Sequence, residues 1–143
     1  MPKGVYLGFD YGTHKIGVAV GQSVSRSATV LPQLITKRLN LPWKELDRLI
    51  EVWQPEALVV GIPHTFTGED FPVTNLAKEF MRLLAERYKL PVHGMEELLT
   101  TKAAREVLFN DGGFRALQKE SVDSYAAKLI LENWLHDHRL GEE

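Results

Sequence analysis

The 143-residue chain contains no cysteine. That excludes disulfide frameworks, thiolate zinc sites and cysteine nucleophiles, and it fits a reducing compartment such as the cytoplasm. No apolar run approaches the ~20 residues that a membrane helix needs, so no membrane partner is expected. Met1-Pro2-Lys3-Gly4 leads directly into a strand-like segment, and no signal peptide is expected. Glycine-rich phosphate cradles are missing too. There is no Walker sequence, and no G-x-G-x-x-G follows a strand. Ser23, Ser25 and Ser27 lack the setting of a nucleophile elbow. Acids are scarce at the start: residues 1–44 hold Lys3, Lys15, Arg26, Lys37, Arg38 and Lys44 against Asp10 alone. The remainder is acidic, and the whole chain carries a formal charge of −2. Broad non-specific nucleic-acid binding is therefore disfavoured, while a local basic face is allowed.

What is present suits one globular domain over residues 1–143, with 44% hydrophobic and 25% charged residues. Val5–Asp10 reads as a strand ending in an acid, and Tyr11-Gly12-Thr13-His14 as a turn. Lys15–Val20 then reads as an antiparallel second strand. Ala28–Ile35 offers a third, placed on a sheet edge by Pro32. Leu46, Leu49, Ile50 and Trp53 recur at helical spacing through Trp43–Val52, which Gln54-Pro55 closes. Ala57–Val60 is a fully apolar run, as in a buried parallel strand, and a polar loop is read from Gly61 to Pro72. A helix over Val73–Tyr88 and a fifth strand over Leu90–Met95 follow. A short helix is expected from Thr100 or Thr101 to Phe109, broken by Asn110-Asp111-Gly112-Gly113. A last helix is read from a Ser121 cap to about His136, followed by a frayed tail at Gly141-Glu142-Glu143. The order β-β-β-α-β-α-β-α-α implies an α/β fold. Its mixed five-stranded sheet would have three antiparallel strands, then two parallel ones, with helices on both faces.

Ligands of open α/β sheets gather beyond the carboxyl ends of the parallel strands. Asp10 ends the first strand and Glu96-Glu97 end the fifth, so these acids are expected at one edge. Asp123 aligns with Ala127, Ile130 and Trp134 on the last helix, a stripe that faces the sheet or its rim. Each acid alone also suits a bland role, as a turn residue, a solvated acid or a first-turn acid favoured by the helix dipole. Together they repel unless a cation compensates. With hard oxygen donors only, Mg²⁺ or Mn²⁺ is the natural ion. His14 and His64 fall on loops near this edge. His93 is read as structural or exposed, and His136 and His138 as a solvated helix end.

Four ordered motifs carry a family resemblance. Asp10-Tyr11-Gly12-Thr13-His14-Lys15-Ile16-Gly17-Val18-Ala19-Val20-Gly21 resembles the opening motif of the YqgF (RuvX) family of pre-16S ribosomal RNA nucleases and Holliday junction resolvase-like proteins. Val59-Val60-Gly61-Ile62-Pro63 with Gly68 resembles the second motif, Glu96-Glu97-Leu98-Leu99-Thr100-Thr101 the third, and Asp123-Ser124-Tyr125-Ala126-Ala127 the last. Four positions depart from it: in the third block Glu96 stands in for an aspartate and Leu98 for an arginine, Gln22 replaces an acid, and Thr67 the aspartate before Gly68.

The resemblance implies a ribonuclease H-like fold and a cytoplasmic, metal-dependent nuclease. Its substrate would be the 5′ end of precursor 16S rRNA, with ribosome association, or branched DNA in the manner of a junction resolvase. Asp10, Glu97 and Asp123 would be catalytic and would hold Mg²⁺ or Mn²⁺. Lys15, Lys37 and Arg38 would bind the nucleic-acid backbone. Two rivals differ in class. An ATPase of the actin and sugar-kinase type shares the Asp-x-Gly-Thr opening but needs two such domains. A catalytically silent nucleic-acid-binding module would keep the fold alone.

Overall fold

Residues of β1 (Val5–Asp10) alternate between two hydrophobic clusters. Val5, Leu7 and Phe9 enter one and Tyr6 the other, so the strand is covered on both faces. The computed structural model describes residues 4–12, 14–37, 40–64, 72–98 and 119–137. β2 (Lys15–Gln22) pairs antiparallel with β1, and β3 (Ser27–Ile35) antiparallel with β2. β4 (Ala57–His64) runs parallel to β1, and β5 (Val92–Leu98) parallel to β4. The sheet order is β3-β2-β1-β4-β5, the mixed arrangement expected from the order of elements. Among the described residues the helices are α1 (Trp43–Trp53), α2 (Pro72–Tyr88) and α3 (Lys119–Asp137).

Pro32 does lie on an edge strand, and the ladder accommodates it with a bulge. Ile16 pairs with Leu34 but Val18 pairs with Leu31, so Pro32 and Gln33 together oppose Gly17.

The two faces of the sheet are built differently. On one, Leu46 of α1 and Ala77, Phe80 and Leu84 of α2 cover Leu7, Phe9, Ile16, Leu58, Val60 and Ile62. Phe9 meets Phe80 edge-on at 5.7 Å between ring centroids. On the other, among the described residues, α3 presents Ala127, Ile130, Leu131, Trp134 and Leu135 to Tyr6, Ala19, Ala28, Ala57 and Val59. Small residues beneath α3 let it approach closely. A Cβ at Gly8 would stand 2.8 Å from Leu131 Cβ and 3.3 Å from the Ala127 carbonyl oxygen; one at Gly61 would stand 2.3 Å from Ile130 Cδ1.

Outside the core, α1 and α2 are tied together. Arg87 donates through Nε and Nη2 to the two carboxylate oxygens of Asp47 at 2.8 and 2.7 Å, and the Tyr88 hydroxyl donates to Asp47 Oδ1 at 2.6 Å. The Arg87 guanidinium also stacks over Trp43 at 4.7 Å. Hydrogen bonds from Arg87 first, then Tyr88, hold the Asp47 carboxyl at about 2, below its usual 3.8. A lowered carboxyl pKa stabilises the fold above the unfolded value, and that contribution disappears as pH falls from about 4 toward 2. Thermal melts between pH 2 and 5 should therefore show a steeper acid loss in the native protein than in Asp47→Asn. The difference should be small because the group is screened by solvent. Superimposable profiles would mean the tie adds nothing.

Several boundaries differ from those read in the sequence. β4 continues through Gly61, Ile62, Pro63 and His64, where a loop was expected, because β5 keeps pairing with it as far as His64–Leu98. Pro63 is tolerated there because the ladder between β4 and β1 ends at Phe9–Val60, leaving that side without need of a donor. Glu96 and Glu97 lie inside β5 rather than after it. Helix α3 starts at Lys119, two residues before the expected cap, since Lys119 and Glu120 are good helix formers. Asp123 is consequently the fifth helical residue and not a first-turn acid. The expected helix at 100–109, the breaker at 110–113, the loop residues Thr67 and Gly68, His138 and the tail lie outside the described residues.

Candidate active site at the carboxyl edge of the sheet

Because β1, β4 and β5 are mutually parallel, their carboxyl ends share one edge, and Asp10 and Glu97 both arrive there. Phe9 pairs with Val60 and Gly61 with Met95, so Asp10 stands level with Met95, and Glu97 lies two residues further out. With strands ~4.8 Å apart and ~3.3 Å per residue, the two backbones are about 10 Å apart across the sheet and about 7 Å along it.

Parity settles the faces. Tyr6 packs on Trp134 and Gly8 lies under Leu131, so Asp10, next in the same series, belongs to the α3 face. On β5, His93 stacks against Trp134 at 5.0 Å and Met95 joins the α3 cluster, so position 97 has α3-face parity. Position 96 has the parity of Val92 and Gly94, which lie on the α2 face beside Met81. Positions 96 and 97 thus have opposite face parity.

Helix α3 brings the third acid to the same edge. Its contacts step from Trp134 at Tyr6 to Leu131 and Ala127 at Gly8. Two strand residues advance ~6.6 Å and four helical residues ~6 Å, so the series reaches positions 123–124 close to the level of Asp10. Ser124, only 2% exposed, fixes this end. Its hydroxyl donates to the Leu31 carbonyl at 2.6 Å and accepts the Val18 N–H at 3.4 Å. Glu132 secures the helix further along by accepting the Ala28 N–H at 3.0 Å.

Asp10 is half-buried and Glu96 exposed; both have interaction partners. At positions 97 and 123 the described part is the backbone. Among the described residues no three His, Asp or Glu side chains stand close enough to share an ion. The donor types nonetheless suit a hard divalent cation: positions 10, 97 and 123, all acids, lie toward one edge of the sheet, and the chain has no thiol.

Two of the basic candidates, Lys15 and Lys37, border the same edge. Lys15 opens β2 and pairs with Ile35, the last residue of β3. Beyond it, Lys37 and Asn40 exchange backbone hydrogen bonds at 3.1 and 2.9 Å. Thr36 braces that pairing. Its N–H donates to the His14 carbonyl at 2.9 Å and its hydroxyl contacts the Lys37 and Asn40 carbonyls, both at 3.2 Å. Lys37 and His14 are exposed, Lys15 is half-buried, and Arg38 lies outside the described residues. Gly12 lets the β1–β2 turn close, since a Cβ there would meet the Lys15 carbonyl oxygen at 2.6 Å. Ser124 and Thr36 were missed as functional candidates. The signal for Ser124 was its place on the line of Ala127, Leu131 and Leu135, where a hydroxyl needs a partner.

This sheet order, with its antiparallel trio, two parallel strands and a helix over the glycine-lined face, is that of the ribonuclease H-like fold. Solved structures agree. Thermus thermophilus RuvC in complex with a Holliday junction substrate matches with a TM-score of 0.52 at 17% identity, over 94% of this chain and 95% of that one. The fowlpox virus Holliday junction resolvase matches with a TM-score of 0.53 at 12% identity, over 93% of this chain and 99% of that one. The chain belongs to the RuvX family, whose model, described as Holliday junction resolvase, matches residues 4–137. A Legionella pneumophila (strain Paris) protein named "Putative pre-16S rRNA nuclease" is 44% identical over 135 residues, 94% of this chain and 97% of that protein. A protein of the same name from Actinobacillus pleuropneumoniae serotype 5b is 44% identical over 128 residues, 90% and 93% of the two chains. The resemblance read in the four motifs therefore holds.

Proposed function

We propose that this protein is a metal-dependent nuclease that trims the 5′ end of precursor 16S rRNA in the cytoplasm, in association with the assembling ribosome. Residues 1–143 would form one ribonuclease H-like domain. The observation that carries the reading is the convergence of positions 10, 97 and 123 on one edge and one face of the sheet. The relatives named as pre-16S rRNA nucleases support the substrate. Asp10, Glu97 and Asp123 are the catalytic carboxylates and would hold Mg²⁺ or Mn²⁺. That ion, when bound, supplies activation of water and stabilisation of the leaving oxygen. The chain's own residues do the rest: the carboxylates fix the place of attack, and Lys15, Lys37 and Arg38 hold the backbone phosphates. A second reading, cleavage of branched DNA, is favoured by the family's description and by the resolvase fold. Among the described residues no helix is long and apolar enough to cross a membrane.

A depletion strain separates the readings. Accumulated 16S precursor supports rRNA processing, accumulated unresolved junctions support resolution, and neither would overturn both.

The basic pair Lys37 and Arg38 is testable on the purified protein. Replacing Lys37 and Arg38 together with Ala should weaken binding equally for all sequences and lower the slope of log K against log salt by up to about two units. An unchanged slope would return both side chains to the solvated surface.

A further inference from the structure

We propose that Ser124 is a positioning residue that sets the separation between Asp10 and Asp123, an inference that rests on the nuclease reading above. The argument starts from the irregular ladder. Val18 and Leu31 are register partners immediately beyond the bulge at Pro32-Gln33, and in a regular antiparallel ladder they would be joined only to each other. Here the Ser124 hydroxyl serves both, accepting from the Val18 N–H and donating to the Leu31 carbonyl. A helix side chain has become part of the sheet's hydrogen bonding.

The position of that joint matters. Val18 follows Gly17, and Gly17 is the register partner of Asp10. Ser124 follows Asp123. One buried hydroxyl therefore connects the residue after Asp123 to the residue after Asp10's partner, a short path between two acids that are 113 positions apart in sequence. Apart from Glu132, two turns further along on the Ala28 N–H, the described α3 interface is mostly apolar packing over small residues, which resists separation more than it fixes register. Directional hydrogen bonds at the start of the helix fix what apolar packing leaves adjustable. Serine suits the place because the site is 2% exposed and the residue has both a donor and acceptors on one small atom.

The test compares native protein with Ser124→Ala, Ser124→Thr and Ser124→Cys on a 5′-extended 16S rRNA fragment and a four-way DNA junction, with Mg²⁺. Ser124→Ala should lower kcat by about 10²-fold with KM unchanged, because ångström-scale displacement of catalytic groups slows chemistry and not binding. Ser124→Thr, which keeps the hydroxyl, should restore much of the loss. If Ser124→Ala fails to fold, Ser124→Cys carries the measurement, being similar in shape but a poor donor. Leu135→Ala loosens the far end of the same helix and controls for general destabilisation; its kcat should hold even where its melting temperature falls. In metal-free protein the Val18 amide should exchange faster in Ser124→Ala than in Leu135→Ala. Equal kcat losses in Ser124→Ala and Leu135→Ala, or an unchanged kcat in Ser124→Ala, would overturn the positioning role. If native protein cleaves neither substrate, the nuclease reading fails, and this inference with it.

Discussion

Asp10→Asn is expected to lower cleavage by about 10³-fold or more, equivalent to at least ~4 kcal/mol of transition-state stabilisation, while leaving the fold intact. The asparagine keeps the shape of the side chain, and the tight turn that follows depends on Gly12 beneath the Lys15 carbonyl, which the substitution does not touch. What changes is one negative oxygen at the carboxyl edge of β1, on the face shared with α3. Thermal unfolding provides the second readout. A bound ion stabilises the native protein by mass action, about 2.7 kcal/mol at a hundredfold excess over Kd, and the gain grows with the logarithm of concentration. Asp10→Asn should gain clearly less across the same Mg²⁺ titration, measured against an EDTA baseline for each protein. A variant that melts lower in EDTA yet responds to Mg²⁺ like the native chain would make Asp10 a structural turn residue. The three-acid site would then be wrong.

The architecture was legible where local chemistry and tertiary context agree. Pro32 on an edge strand, the apolar run at Ala57–Val60 and the Gln54-Pro55 stop each follow from backbone constraints that no packing overrides. Gln54 adopts the left-handed conformation and its N–H closes on the Ile50 carbonyl, so α1 ends there. The errors came where a neighbour decides. Gly61-Ile62-Pro63 carries two residues typical of loops, yet pairing with β5 keeps it in the sheet. The bulge opposite Gly17 depends on how β3 meets β2, and neither strand announces it alone. Ser124 illustrates the same limit. It looked like one letter of a motif, and only the closed ladder reveals that two backbone groups on different strands need its hydroxyl. Asp10 and Glu97 could be assigned to one edge from strand direction, whereas the shared face parity of positions 10 and 97 required the contacts of Tyr6, His93 and Met95.

That shared face gives the second large effect. Glu97→Gln should abolish measurable cleavage, and Glu96→Gln should only weaken it. The two residues are adjacent, equally charged and in one strand, so composition and local field do not separate them. Parity does. Position 97 belongs with His93 and Met95 on the α3 face, where Asp10 and the start of α3 lie. Position 96 belongs with Val92 and Gly94 on the face covered by α2. A carboxylate on the α2 face is separated from Asp10 by the thickness of the sheet, and it acts on a bound ion only through screened long-range attraction. Single-turnover cleavage of the same RNA by both variants, at saturating Mg²⁺ and matched melting temperature, measures the contrast directly. A double variant tests it in reverse: Glu96→Gln, Glu97→Asp removes the charge at position 96 and keeps an acid of shorter reach at position 97, which has α3-face parity. It should retain more activity than Glu97→Gln alone. Equal losses in the two single variants would mean that both glutamates serve the site, which the alternation of β5 forbids unless the strand twists out of register at its last turn of pleat.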